Sequence, residues 1–137
     1  MSCDAVDFVN RMIGRPYEPT RLHCWELTRQ CQHEVFGREL PIVLAAPQSK
    51  RELIGMMAER DRHDDWCEVA GPAHGAVVFI GRESLGRVRA AIHAGVFLAL
   101  DGGGVLHTDD PHGVAFESLA VLAARGWAAP SYYLPAR

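Results

Sequence analysis

Gly14-Arg-Pro-Tyr-Glu-Pro-Thr-Arg-Leu-His-Cys-Trp-Glu-Leu-Thr-Arg-Gln-Cys-Gln-His-Glu-Val-Phe-Gly-Arg-Glu-Leu-Pro41 is the stretch from which the fold follows. A loop pinned by Pro16 and Pro19 runs into a helical pattern that begins at His23 or Cys24. It carries Leu27, Cys31 and Val35 on one side, with Phe36 near its end, Gly37 as its stop and Pro41 barring continuation. A cysteine therefore stands where a helix begins. The first N–H groups of a helix are unpaired and carry the positive end of its dipole, which favours a thiolate. In such a place a thiol pKa falls from about 8.5 to roughly 3.5–7.5. Cys24 is thus the candidate nucleophile, set against the usual fate of a free cysteine, burial as a small hydrophobe.

Upstream, Asp4 to Ile13 has helical spacing, with Val6, Val9 and Ile13 on one stripe and Phe8 and Met12 beside it, Asp4 as cap and Gly14 as stop. Downstream, Ser49 to Arg60 predicts a third helix: Ser49 caps, Glu52 completes a capping box, and Leu53, Ile54, Met56 and Met57 form its apolar side. The polar run Glu59 to Asp65 is a loop. Beyond it the pattern changes to strands: Trp66 to Val69, Ala76 to Ile80, Ile92 to Leu100 and Val105-Leu106, the last two joined by Asp101-Gly102-Gly103-Gly104, a hairpin signal. Gly81 to Ala91, with Arg82, Arg87 and Arg89, is either a long hairpin loop or a short basic helix. Phe116 to Arg125 predicts a helix with Leu119, Leu122 and Ala123 inward and Gly126 as its end, and Ser131 to Leu134 a closing strand. Helices followed by an antiparallel meander make an α+β arrangement in one domain spanning residues 1–137.

The chain as a whole restricts the functional classes. Hydrophobic residues make up 48% and charged ones 23% of 137 residues, the balance of a globular chain rather than a disordered one. A formal net charge of -3 supplies no field that would draw nucleic acid or an acidic membrane, and no apolar run is long enough to span a bilayer. Cys24 and Cys31 lie about 10.5 Å apart along their helix at about 1.5 Å per residue, too far for a disulfide. Together with Cys3 and Cys67 they fit reduced thiols. The N-terminus lacks a basic segment followed by an apolar one, so the expectation is cytoplasmic synthesis without a signal peptide.

A thiol nucleophile needs a base, and the base an orienting partner. His93 opens the strand His93-Ala94-Gly95-Val96-Phe97-Leu98 and His107 ends the returning strand across the glycine turn. Antiparallel neighbours lie about 4.8 Å apart, so a hairpin centred near Leu100 brings the two histidines side by side. A helix N-terminus packed on that strand would set Cys24, His93 and His107 in a line. His107, Asp109, Asp110 and His112 also have metal-ligand chemistry, but their spacing matches no structural zinc signature.

The ordered set Gly-x-Pro-Tyr (14–17), Cys-Trp-x-Leu (24–27), Gly-x-Val-Val-Phe (75–79), His-x-Gly-Val-Phe-Leu (93–98) and Val-Leu-His (105–107) resembles the NlpC-type, papain-like cysteine peptidases of the cell wall. With Phe-Gly-Arg-Glu-Leu-Pro (36–41) it is most similar to versions associated with phage and prophage tails. The resemblance spans roughly residues 7–134. It implies a papain-like fold with the nucleophile helix on an antiparallel sheet, and cleavage of peptidoglycan stem peptides, typically at a D-glutamyl-diamino-acid bond. It implies Cys24 as nucleophile, His93 as base and His107 as orienting residue, with Tyr17 the tyrosine upstream of the nucleophile.

Tyr17, His23 and Trp25 are candidate substrate or oxyanion contacts. No metal or cofactor is implied, and the expected partners are stem peptides and phage tail proteins, reached by virion assembly or lysis. The chain departs from the family pattern at His23, where aspartate is usual, at Glu26, where glycine is usual, and at Gly75-Ala76, where Gly-Asp is common. Glu26 would place a carboxylate near the thiol and oppose its ionisation. The same features also allow an inactive module that serves binding or tail assembly.

Overall fold

The computed structural model describes residues 4–40, 66–84, 87–88 and 93–136. The expected helix over residues 49–60 and its following loop lie outside these residues, as do Cys3, Pro41 and Arg89. Among the described residues the architecture is α+β, with three helices and a six-stranded antiparallel sheet. The helices are α1 (Ala5–Met12), α2 (Cys24–Phe36) and α3 (Leu119–Ala124). The strands are β1 (Trp66–Val69), β2 (Val77–Ser84), β4 (His93–Leu98), β5 (Gly104–Asp109), β6 (Gly113–Glu117) and β7 (Trp127–Pro135), and the two-residue β3 (Arg87–Val88) pairs with the far end of β2. Spatial order in the sheet is β1-β7-β2-β4-β5-β6, so β2, β4 and β5 form the expected meander, β6 adds a strand that was not expected, and β7 returns to lie between β1 and β2.

Asp4 caps α1 by accepting the Val6 N–H at 2.7 Å, a contact typically worth about 1 kcal/mol. The buried stripe of α1 is Phe8, Val9 and Met12; Val6 and Ile13, expected inward, are 46% and 44% exposed. At about 100° per residue, the stripe centred on Phe8 and Met12 carries the bulkier side chains, so the helix turns that face to the core. Helix α2 begins and ends where its sequence predicts, with His23 as N-cap and Gly37 in the left-handed region at φ 68°. Its Gln32 is fully buried and satisfied: Nε2 donates to Gly75 O at 2.8 Å and Oε1 accepts from Arg38 at 3.0 Å, which ties the end of α2 to the turn entering β2.

One sheet face packs on α1 and α2. Phe8, Met12, Leu27 and Cys31 meet Val96, Leu98 and Leu106, while Cys24 and Trp25 meet Val77, Phe79 and Ala94. The other face carries Ala76, Val78, Ile80, Phe97, Val105 and Tyr132 against Leu122 and Trp127. Strand β4 is buried along its whole length, which is why its sequence is a continuous apolar run rather than an alternating one.

Two expectations for the last helix change, and one open alternative is decided. The helix expected over Phe116 to Arg125 is shorter, because Phe116 and Glu117 belong to β6 and Ser118 caps α3 through the Val121 N–H. Its apolar face also differs, since Leu122 is buried whereas Ala123 is exposed. In the described part of Gly81 to Ala91 the chain is a hairpin, not a basic helix, with Glu83 opposite Val88. The loop after α1 is laced to the edge strand: Gly14 N–H donates to Val114 O at 3.1 Å and Val114 N–H to Arg15 O at 2.9 Å. That pairing covers the edge of β6 and holds the segment leading to Tyr17.

Candidate active site

The first turn of α2 fixes Cys24. His23, fully buried, caps the helix through its ring, Nδ1 accepting the Glu26 N–H at 3.2 Å, and Thr28 Oγ1 donates to the Cys24 carbonyl at 2.8 Å. The helix packs this turn on β4, where Cys24 shares a core cluster with Ala94 and the Ala94 backbone hydrogen-bonds toward the thiol. The sulfur therefore sits beside the His93–Ala94 step.

Alternation along β4 sends Ala94 to the α2 face and His93 to the opposite face. His93 is the first residue of its strand, however, and there the two faces meet in one pocket. This pocket, about 160 Å³, is lined by Tyr17, Cys24, His93, Thr108, Asp109, Asp110 and Trp127.

Strand register explains how the remaining groups assemble. Val96 pairs with Leu106 and Phe97 with Val105, so the continuing register sets Gly95, not His93, opposite His107. The histidines meet diagonally across the pleat, His93 Nε2 to His107 Nδ1 at 2.8 Å, instead of side by side as the hairpin midpoint suggested. A second diagonal follows. His107 pairs with Ala115 and Val105 with Glu117, and His107 Nε2 reaches Glu117 Oε1 at 2.8 Å.

The residues directly opposite His107 on its two sides are thus glycine and alanine, which leave the diagonals open. A Cβ added at Gly95 would lie 2.7 Å from Leu106 O and from Val105 Cγ1 and 3.2 Å from His107 Cβ. Arg125, just past α3, donates to Glu117 Oε1 and to Asp109 Oδ2, the latter at 3.3 Å.

This chain of bonds sets the tautomers. An ionised carboxylate only accepts, so His107 donates from Nε2 to Glu117 and its Nδ1 accepts from His93 Nε2–H. His93 is left with its Nδ1 lone pair, the position of a general base. The ring of His93 is held further by stacking on Trp127, centroids 4.6 Å apart and 17° between planes, and the Arg82 guanidinium lies 4.5 Å from the centroid of the same indole.

Burial works against the expected thiolate. Burial pushes the Cys24 thiol up to about 11, against backbone hydrogen bonding from Ala94, Trp25 and Cys24 itself, with the Asp109 charge adding to the rise. Desolvation at a 4% exposed side chain outweighs the helix terminus. Burial, then the neighbouring His107, Arg125 and Arg82 charges, hold the His93 imidazole well below its usual value. Burial lowers His107 too, opposed by the hydrogen bond and charge of Glu117. The resting pair is a neutral thiol beside a neutral imidazole.

Glu26 is not the carboxylate that burdens the thiol. Burial pushes its carboxyl up, but bonds from Arg29 at 2.7 and 2.8 Å and from Gln30 at 2.8 Å outweigh that and leave it below its usual value.

Of the candidate substrate contacts, Tyr17 lines the pocket. Burial foremost, then Cys24 when it is ionised, and the charges of Asp110 and Asp109 raise its phenol, which keeps it an O–H donor. His23 and Trp25 are both 0% exposed and lie in the interior, His23 as a cap and Trp25 in the core, so neither is on the pocket wall. The suggested metal cluster does not converge: both ring nitrogens of His107 bond to side chains, and among the described residues no three His, Cys, Asp or Glu form a group that could hold an ion.

Glu117, Arg125 and Trp127 were not legible as site residues from sequence. The signal for Glu117 was the alternation of Val114 and Phe116 with Ala115 and Glu117, which marks a strand rather than a helix start. In comparisons with known proteins, no family model matches the chain and no curated protein matches it either.

Proposed function

We propose that this chain is a cysteine peptidase acting on peptidoglycan stem peptides, with a D-glutamyl-diamino-acid bond as its target and association with a phage or prophage tail as its setting. The observation that carries the reading is the ordered chain from Cys24 and His93, which share one pocket, through His107 to Glu117.

In this reading the proton moves with the attack. His93 Nδ1 takes the Cys24 proton as the sulfur adds to the amide carbon, and His107 and Glu117 stabilise the imidazolium that forms. The imidazolium then protonates the leaving amine, the C–N bond breaks and a thioester remains, which water hydrolyses. The Cys24 backbone N–H and the Tyr17 hydroxyl are the candidate donors to the oxyanion; loss of one such donor typically costs about 10² to 10³ in turnover.

The test is incubation with a soluble stem tetrapeptide followed by mass spectrometry. The expected products are two fragments, the diamino acid bearing a new free amine. Their absence, or their equal appearance with Cys24→Ala, defeats the reading.

A second reading, a papain-like binding module without turnover, is favoured by one observation: the thiol is pushed up to about 11 beside an imidazole of lowered basicity. Stem-peptide binding without cleavage would select it.

A further inference from the structure

Strand β7 carries an extra residue that decides which face Trp127 takes. Phe79 pairs with Ser131 and Gly81 with Ala128, so Ala129 and Pro130 together stand opposite Ile80, and Ala129 takes a positive φ of 55°. That conformation strains a residue with a Cβ. A bulge of this kind shifts the register by one, and a one-residue shift moves every later side chain to the other face. With the bulge, Trp127 is the direct partner of Arg82. Without it the indole would stand opposite Glu83 and turn to the face of α2.

The consequence is a stack on the candidate base. His93 pairs with Ile80, and Ile80 and Arg82 alternate onto the same side of β2, so His93, Arg82 and Trp127 share one face. The indole lies on the imidazole at 4.6 Å between centroids, and the exposed Arg82 side chain brings its guanidinium 4.5 Å from the centroid of the same indole. The cation therefore stands at most about 9 Å from the centre of the His93 ring. An imidazolium on an indole gains cation–π attraction, whereas a guanidinium on that same indole repels it and already draws on the ring's π cloud.

Among the described residues the other titratable and charged groups about His93 are Cys24 from α2, Tyr17 from the loop before it, His107 and Asp109 from β5, Asp110 from the turn that follows, Glu117 from β6 and Arg125 beyond α3. Arg125 is bound to two carboxylates, Glu117 and Asp109, which offset its charge. Arg82 is held instead on a ring that carries no net charge. We propose that Arg82 is a positioning residue acting through Trp127: guanidinium and indole together fix the His93 ring and keep it unprotonated in mild acid, which sets the acid edge of the range in which the site can act. This rests on the peptidase reading only for its consequence in turnover, since the charge state of the ring is a property of the free protein.

Titration of the histidine imidazole ¹⁵N resonances in the protein without substrate tests it, with the acid limb of kcat/KM on the stem tetrapeptide beside it. Removing a cation favours the imidazolium, so Arg82→Gln is expected to move both upward by about 0.3–1 pH unit, the size of one charge at about 9 Å in a medium between protein surface and bulk water. Arg82→Lys keeps the charge and is expected to stay close to the wild type. Raising ionic strength from about 0.05 to about 0.5 M screens an exposed charge and is expected to move the wild type upward more than Arg82→Gln. Trp127→Leu takes away the platform: it is expected to lower kcat more than it changes KM, and in its background Arg82→Gln should no longer shift the titration.

A titration that stays in place or moves downward in Arg82→Gln overturns the proposal, as does an equal shift in Arg82→Lys, which would assign the effect to packing rather than charge. Arg82 is exposed, so its variants and the salt series keep the proposal falsifiable even if Trp127→Leu does not fold. Cleavage by the wild type, measured in parallel, separates the two claims: a shifted titration without cleavage keeps the charge effect and removes the peptidase, and cleavage with an unshifted titration does the reverse.

Discussion

Glu117→Gln removes a charge at the far end of the chain of bonds while keeping the shape of the side chain. Glu117 Oε1 accepts from the buried His107 at 2.8 Å and also from Arg125. A hydrogen bond to a charged group contributes about 1.5–3 kcal/mol and a neutral one about 0.5–1.5, so the imidazolium formed during attack loses about 1–1.5 kcal/mol of support. That corresponds to a fall of about tenfold in kcat/KM.

The pH profile gives the readout that a merely structural role would not move. Glu117 holds His107 up against burial. Its neutralisation lowers the proton affinity of the histidine pair, and the acid limb of kcat/KM moves to lower pH. The assay is stem-tetrapeptide hydrolysis between pH 4.5 and 9, with imidazole ¹⁵N resonances reporting the same shift independently of turnover. An unchanged rate with an unchanged acid limb, or a limb displaced to higher pH, refutes the role of Glu117.

Gly95→Ala is expected to lower stability by about 1–3 kcal/mol, the usual range for overpacking, because the new Cβ meets backbone and β-branched atoms at 2.7 Å. Thermal unfolding together with loss of the His93–His107 bond in imidazole spectra checks it, and an unaltered melting temperature would contradict the diagonal packing. Acid should destabilise the fold early. His93 and His107 are both held below their ordinary 6.5, so the unfolded chain binds protons first and stability is lost as pH falls through about 6.5, by up to about 1.4 kcal/mol per pH unit for each ring. Melting curves from pH 7.5 to 5 measure this slope, which His107→Gln should reduce; equal slopes in the two proteins count against it. Iodoacetamide at pH 7.5 should modify the exposed Cys67 well before Cys24, whose thiol burial pushes up to about 11; preferential labelling of Cys24 would show an activated thiolate and refute the effect of burial.

The helix of the nucleophile was legible because every local signal agreed: apolar spacing at Leu27 and Cys31, a residue able to cap at His23 and a glycine stop at Gly37. The meander was legible from the apolar runs over Val77–Ile80 and His93–Leu98 and from the glycine turn before Val105. Burial was not. The helix terminus at Cys24 argues for a thiolate only while water or a partner charge can reach the sulfur, and tertiary packing against Ala94 and Phe79 decided otherwise. His23 and Trp25 flank the nucleophile in sequence and point into the interior, since neighbours on a helix start diverge by about 100°.

Glu117 was hidden by two facts that no local pattern carries. A strand continues through Phe116-Glu117 where helical spacing begins, and the His107 pairing runs along diagonals rather than directly across. The return of β7 between β1 and β2, which delivers Trp127 to the ring of His93, is likewise a matter of topology and not of sequence period.

Side-by-side digestion of purified peptidoglycan by the wild type, Cys24→Ala and His93→Ala, followed by release of new amino groups, tests the central claim most directly. The account predicts steady release by the wild type and none above background for either variant. Release by Cys24→Ala at the wild-type rate, or none by the wild type, would contradict it.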